Sequence, residues 1–171
     1  IYQFKIKIDN SKKTKSIDLE KGTFVVYVSG EDSYSDEVNE TSRSDVNMLM
    51  VVNIKKRNVL LLSIPRDYYI KIDSKGAYDK LTHISLYGSE ETAKSLGAIL
   101  DVDVDYYVKF NFTTFMKATE YLLPLDVYSD YTFTTSVYDR TIGDCYTFYE
   151  GYNHITNGKQ ALQFVRARKN F

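Results

Sequence analysis

"SRSDVNMLMVVNIKKRNVLLLSIPRDYY", residues 42–69, holds two apolar runs joined by Lys55-Lys56-Arg57 and closed at each outer end by an arginine and an aspartate. Runs of this length, rich in Val, Leu, Ile and Met, read as strands, and the short basic link reads as the turn of an antiparallel pair. Their density of apolar side chains predicts burial on both faces. Arg43 and Asp45 then stand at the mouth of a core strand, and Arg66 and Asp67 follow Pro65 directly after the second one.

Upstream, "TFVVYVSG" (23–30) is a continuous buried-strand run ending at Gly30, and "EDSYSDEVNETSRSD" (31–45) is an acidic loop without apolar periodicity. Loops of this length in compact domains tend to be functional or disordered. "IYQFKIKI" (1–8) alternates as a half-exposed strand does, and a basic loop, "DNSKKTKS", follows it. Downstream, "YDKLTHISLYG" (78–88) and "SEETAKSLGAIL" (89–100) show helical spacing. The second opens with Ser89, Glu90 and Glu91, which suit an N-cap and the positive end of the dipole. "VDYYVKFNF" (104–112) returns to strand, "TTFMKATEYLL" (113–123) to helix and "LDVYSDYTF" (125–133) to strand. "TNGKQALQFVRAR" (156–168) is helical, with Thr156 or Asn157 as its cap. Strands interleaved with helices predict an α/β fold, a sheet covered by helices on both sides.

Composition limits the function classes. The chain has 171 residues, 43% of them hydrophobic, enough to bury one sizeable core. Its 22 Lys+Arg against 23 Asp+Glu argue against a nucleic-acid partner held by an overall basic surface, so any polyanion site is local. The single cysteine, Cys145, has no intrachain disulfide partner and no zinc-ligand spacing; it reads as a loop thiol. No apolar run reaches the roughly 18 residues that span a bilayer. Sixteen Tyr and nine Phe with no Trp suit half-buried sheet faces, or else a sugar or lipid surface. No G-x-S-x-G, P-loop or G-x-G-x-x-G pattern occurs, and His83 and His154 lack metal-ligand spacing.

Four constellations could carry chemistry. Asp32, just past one strand, and Asp45, just before the next, meet at one sheet end if those strands are neighbours. Two carboxylates with phosphate oxygens and water make the hard octahedral site that Mg²⁺ prefers; singly, an Asp beside a Ser in a loop is ordinarily a turn or cap. Pro65 fixes the chain's exit and so aims Arg66, whose planar fork suits phosphate better than a lysine's point charge; the alternative is a surface contact with Asp67 or a tyrosine. Arg166 and Arg168 share a side only where the segment is extended, because on a helix they point roughly 200° apart; the simpler reading is a basic helix C-terminus. Lys80 alone reads as a solvated lysine.

Taken together, "VVYVSGEDSYS", "SRSDVNMLMVVNIKKRNVLLLSIPRDYYI", "YDKLTHISLYGSEETAKSLGAIL", "VDYYVKFNFTTF" and "HITNGKQALQFVRARK" resemble, in order and spacing, the LytR-CpsA-Psr family over about Thr23 to Lys169. The most specific parts are S-R-S-D, S-I-P-R-D and the closing A-L-x-x-V-R-x-R. The resemblance implies a mixed β-sheet sandwiched between helices, with an apolar tunnel for a polyprenyl tail, and side chains such as Phe110, Phe112 and Phe115 are expected to line it. It implies an extracytoplasmic phosphotransferase of the Gram-positive envelope that moves an anionic glycopolymer, teichoic acid or capsule, from a polyprenyl-pyrophosphate carrier to peptidoglycan. Asp32 and Asp45 would then be the Mg²⁺ carboxylates, Asp45, Arg66, Arg166 and Arg168 the catalytic set, and Arg43 and Lys80 further substrate ligands. The helix ending in this motif is expected to stop near Val165, turning Arg166 and Arg168 toward Arg66. Residues 1–22 are expected to be an anchor-proximal or accessory segment, 23–171 the catalytic domain, with a membrane anchor upstream and a Gly-Asp…Arg-Gln segment beyond Phe171. Tyr34 stands where the family commonly has an arginine, and "LLPLD" replaces its usual paired glycines. A non-catalytic glycan binder or a regulatory protein of the envelope is the alternative.

Overall fold

The β-branched and aromatic run Thr23–Gly30 forms β1, inside a four-stranded sheet, in the computed structural model, which describes residues 22–135 and 145–167. Chain order continues with β2 (Val46–Asn53), β3 (Asn58–Ser63), β4 (Tyr69–Lys71), β5 (Tyr78–Lys80), α1 (Leu81–Ile84), a 3-10 turn over Ser85–Tyr87 and α2 (Ser89–Leu100). Then come β6 (Tyr106–Phe110), α3 (Phe112–Glu120), β7 (Leu125–Ser129), β8 (Phe133–Thr134), β9 (Thr147–Phe148), β10 (Gly151–Ile155) and α4 (Gly158–Arg166). The central sheet runs β3-β2-β1-β6; the first three strands are antiparallel and β6 lies parallel to β1. It is the expected mixed sheet with flanking helices.

Register sorts the side chains. Tyr27, Leu49 and Leu62 align across three strands on one face, and Val26, Met50 and Leu61 on the other. Tyr27 and Leu49 enter a core with Ile64, Ile70, Ile72, Leu81 and Ile84, and with Ala93 and Leu96 of α2. Each fully buried Leu or Ile there contributes about 1.5–3 kcal/mol. A second core joins Phe133, Phe148, Ile155 and Ala161 to Phe115, Leu125 and Phe164. It rests α4 on α3 so closely that a Cβ at Gly158 would come within 2.5 Å of the Met116 carbonyl oxygen. Asn157 caps α4 by accepting from Gln160 N–H at 2.8 Å, and Asn111 caps α3 in a reciprocal box with Thr114.

Three expectations need correction. "NVLLLSI" is not buried on both faces: β3 is the edge strand, and Leu60 and Leu61 are 64% and 58% exposed. An apolar run does not reveal whether a second neighbour covers it. "YDKLTHISLYG" is not helical from its start, because Tyr78–Lys80 pairs antiparallel with Tyr69–Lys71 and the helix begins only at Leu81. Pairing with a distant segment overrides local spacing. Ser89 is not the cap of α2; Gly88 holds that position and Ser89 donates to the Glu40 carboxylate at 2.8 Å, while Glu90 and Glu91 do occupy the first turn.

Denaturant unfolding tests this division of the sheet. Leu96→Ala, at a fully buried position, is expected to lower stability by about 2–5 kcal/mol, whereas Leu60→Ala on the exposed edge is expected to change it by less than about 0.5 kcal/mol.

Candidate active site at one end of the mixed sheet

Backbone pairing gathers the loops. Gly30, the last residue of β1, lies opposite Val46, the first of β2, and Asp45 N–H donates to the Gly30 carbonyl at 2.8 Å. Glu31 N–H donates to the carbonyl of Phe110, where β6 ends, at 2.8 Å, and Ile64 N–H, just past β3, donates to Asn47 at 2.9 Å. Asp32, Asp45, Arg66 and the start of α3 therefore stand at the same sheet end. The first two are brought together as the neighbouring-strand reading requires.

The acidic loop 31–45 is ordered by buried polar groups. Glu31, 5% exposed, accepts from Asn39 N–H at 3.1 Å and from the Ser42 hydroxyl. Lys109, on the face of β6 shared with Ser29, reaches under the loop and donates to the Ser42 carbonyl at 2.8 Å and that of Glu40 at 3.3 Å. Burial lowers the Lys109 pKa, and the nearby Glu31 and Glu40 carboxylates partly offset that. Ser85 adds a second bond to the Ser42 carbonyl at 2.8 Å, and the Asn111 amide holds the carbonyls of Ser35 and Glu37. Below lies a polar floor in which Tyr27 Oη donates to Asn47 Oδ1 at 2.6 Å; burial pushes the phenol up to about 12. With both sides of the loop fixed, Glu31, Asp32, Ser33, Asn39, Ser42, Arg43 and Asp45 line one cleft of about 240 Å³.

Charge alternates outward from this cleft. The Arg66 guanidinium pairs with Asp45 through Nη1 and lies 3.8 Å from Asp67 through Nε. The hydrogen bond that Arg66 donates to Asp45, then the charge of Asp45 and that of Asp67, raise the already high pKa of Arg66. Asp67 in turn accepts from Lys80 Nζ at 2.9 Å, which draws its carboxyl below the ordinary range. The main chain fixes the same corner, because Thr82 N–H donates to the Arg66 carbonyl at 2.9 Å. Lys80 thus belongs to a chain of charges ending at Asp45 instead of standing alone in solvent. Behind it, Asp79 accepts from His83 Nδ1 at 2.9 Å and is held low by that bond first.

Arg166 arrives from the second core. As the last residue of α4 it rests with Cζ 4.0 Å over the Phe112 ring and donates to the Tyr34 hydroxyl. Tyr34, two residues past Asp32, packs on Phe112 with centroids 4.7 Å apart. Tyr34 is thus the seat of an arginine delivered by α4. The helix runs one residue beyond Val165, and Ala167 is extended (ψ 124°). Arg168 lies outside the described residues. Of the three phenylalanines expected to line a tunnel, Phe112 supports Arg166, Phe115 packs in the second core, and Phe110 ends β6.

Sequence reasoning missed Glu31, Lys109, the Asp79–His83 pair and the contact of Tyr34 with Arg166. A lysine on the inner side of "YYVKF" was a readable signal for Lys109; nothing local marks the others. A larger cleft of about 640 Å³ near the start of β6 carries five carboxylates, Asp73, Glu90, Asp101, Asp103 and Asp105, against Lys94. That lining repels a phosphate.

Lys109→Met removes one of the two donors on the Ser42 carbonyl and the cation beside Glu31. It is expected to cost about 1–3 kcal/mol and to speed limited proteolysis within 31–45, while Lys56→Met, at an exposed lysine of the β2–β3 turn, changes neither.

Comparison with known proteins follows the same lines. The family model described as the LytR_cpsA_psr family matches residues 2–171. The Bacillus subtilis polyisoprenyl-teichoic acid–peptidoglycan teichoic acid transferase TagT is 37% identical over 163 residues, which cover 92% of this chain and 49% of TagT. TagU of the same organism is 36% identical over 166 residues, covering 95% and 50%. The chain spans about half the length of these curated relatives. A TagT structure with bound octaprenyl pyrophosphate lipid aligns at TM-score 0.66 and 33% identity, covering 92% of this chain and 62% of that one. TagT bound to LI-WTA aligns at TM-score 0.68 and 34% identity, covering 94% and 60%. A family match over nearly the whole chain, with relatives above 30% identity sharing its mixed sheet, makes this chain a member of the LytR-CpsA-Psr family.

Proposed function

We propose that the chain carries the phosphate-handling centre of an extracytoplasmic transferase that moves an anionic glycopolymer from a polyprenyl-pyrophosphate carrier to peptidoglycan. One observation carries the reading: Asp32, Arg43 and Asp45 line a single cleft, and Arg66 pairs with Asp45 at its edge. The names of the related transferases and the octaprenyl pyrophosphate bound to TagT support it. No helix among the described residues is long and apolar enough to cross a membrane; attachment to the outer face of the cell membrane is assigned to an upstream anchor.

The arrangement suits phosphoryl transfer because that chemistry depends on positioning and charge compensation more than on covalent participation. Arg43 and Arg66 grip the pyrophosphate, Arg166 joins from Tyr34, and Lys80 extends the positive field outward. Arg168 belongs to the same set by its place in the A-L-x-x-V-R-x-R motif. A sugar hydroxyl of the acceptor forms a bond to the glycan-side phosphorus, the bond from that phosphorus to the bridging oxygen breaks, and polyprenyl phosphate departs with the electron pair. An aspartate of the cleft takes the hydroxyl proton.

The donor set fits Mg²⁺. Among the described residues no cluster of three or more His, Cys, Asp or Glu could cage a metal, and Mg²⁺ characteristically takes only one or two carboxylates, filling its shell with phosphate oxygens and water. Asp32 and Asp45 would hold it. Bound there, it would neutralise phosphate charge as it builds.

Transfer of labelled glycan from its polyprenyl carrier to peptidoglycan by the full-length protein is the test. Arg66→Lys keeps the charge and loses the planar fork, and is expected to slow transfer about 10²-fold. Asp45→Asn is expected to slow it at least as much, because it removes both the partner of Arg66 and a metal carboxylate. Chelation is expected to abolish turnover and Mg²⁺ to restore it. Unchanged transfer by both variants removes this cleft from the chemistry.

A further inference from the structure

We propose that the exposed face of the β4–β5 hairpin is a subsite for the anionic glycan chain itself, Tyr69 and Tyr78 taking a sugar ring and Lys71 and Lys80 its phosphate groups. This rests on the reading of the neighbouring cleft as the phosphate-transfer site.

The hairpin has two unlike faces. Tyr69 pairs with Lys80, Lys71 with Tyr78, and between them Ile70 with Asp79. Alternation puts Tyr69, Lys71, Tyr78 and Lys80 on one side and sends Ile70, wholly buried, into the core on the other. Core packing therefore anchors the hairpin without using either tyrosine. The two rings nevertheless sit together, centroids 5.9 Å apart and planes 24° from parallel, with Tyr69 64% and Tyr78 59% exposed. A rigid pair of aromatic rings left in water beside two ammonium groups is an interaction surface in search of a ligand that is apolar on one face and anionic at its links. A phosphate-bearing glycan has both properties.

Continuity decides the occupant. Lys80 at one end of this face reaches Asp67, which lies beside Arg66, which pairs with Asp45. The tyrosine face therefore starts where the charged chain from the cleft ends. A glycan whose pyrophosphate sits at Arg66 leads its next units over Lys80 and the two rings. At the far end Lys71 has no ion-pair partner among the described residues and presents an uncommitted charge. None of the hairpin's own residues on this face is acidic, since Asp79 lies on the opposite side, paired with His83, and the one carboxylate at its edge, Asp67, is neutralised between Lys80 and Arg66.

Calorimetric titration of the full-length protein separates this subsite from the transfer site. Three probes serve: lipid-free poly(glycerol phosphate), a neutral N-acetylglucosamine oligosaccharide, and farnesyl pyrophosphate, which carries no glycan. Wild type is expected to bind the first and third. Tyr69→Ala with Tyr78→Ala is expected to weaken poly(glycerol phosphate) about tenfold while leaving farnesyl pyrophosphate within about twofold. Lys71→Glu, which leaves the rings and the core untouched, is expected to weaken the same probe and reduce the salt dependence of its binding. Unaltered poly(glycerol phosphate) affinity in both variants overturns the subsite. So does a wild type that binds farnesyl pyrophosphate but not poly(glycerol phosphate), a result that leaves the transfer site standing. Preference for the neutral oligosaccharide overturns the anionic assignment. Failure of wild type to bind any phosphate probe overturns the transfer site and the subsite with it.

Discussion

The pairing of Gly30 with Val46 governs the functional end of the molecule. A Cβ on Gly30 would meet that of Val46 at 3.3 Å, so the two strands close tightly there, and the Asp45 N–H to Gly30 carbonyl bond continues the ladder one step further. Closing these strands forces residues 31–45 to leave and re-enter at one point. A loop with fixed ends and buried polar contents cannot wander. Glu31, Lys109, Ser85 and Asn111 fill its interior, and the cleft residues Asp32, Arg43 and Asp45 are left facing outward.

Two cores then supply two separate supports. The first, under Tyr27 and Leu49, carries the β4–β5 hairpin and α1, and so sets Arg66, Asp67 and Lys80. The second, around Phe133 and Phe148, seats α4 on α3 and delivers Arg166 to Tyr34. Cations reaching one sheet end from two independently packed bodies are a means of holding like charges near each other. Each is tied to its own partner, Asp45 for Arg66 and the Tyr34–Phe112 pair for Arg166, so their repulsion does not have to be resisted by one flexible loop.

The exposed apolar edge of β3 contrasts with this. Val59, Leu60, Leu61 and Leu62 stand in solvent on a strand whose outer side is unpaired among the described residues. Exposed edges of this composition are costly in isolation, since they invite pairing with another strand.

Sequence by itself determined the strands β1, β2 and β3, because continuous β-branched and aliphatic runs have few other uses, and it located Asp32 and Asp45 at neighbouring strand ends. It marked Pro65 as the residue that aims Arg66, and narrowed the cap of α4 to Thr156 or Asn157, of which the fold uses Asn157. It did not determine which strand lies at the edge, since burial depends on what covers a run and not on the run. Nor did it reveal that Tyr78–Lys80 is a strand, because its partner, Tyr69–Lys71, supplies the hydrogen bonds. Tyr34 read as the loss of an arginine, yet in the fold it holds Arg166, 132 residues away. Lys109 and Glu31 acquire their role only when β6 lies beside β1, for a buried charge is fixed by partners that chain spacing does not specify. Local pattern thus set the elements and the residues at their ends, while tertiary packing alone decided which of those residues share a site, because charge and hydrogen bonding act through space and not along the chain.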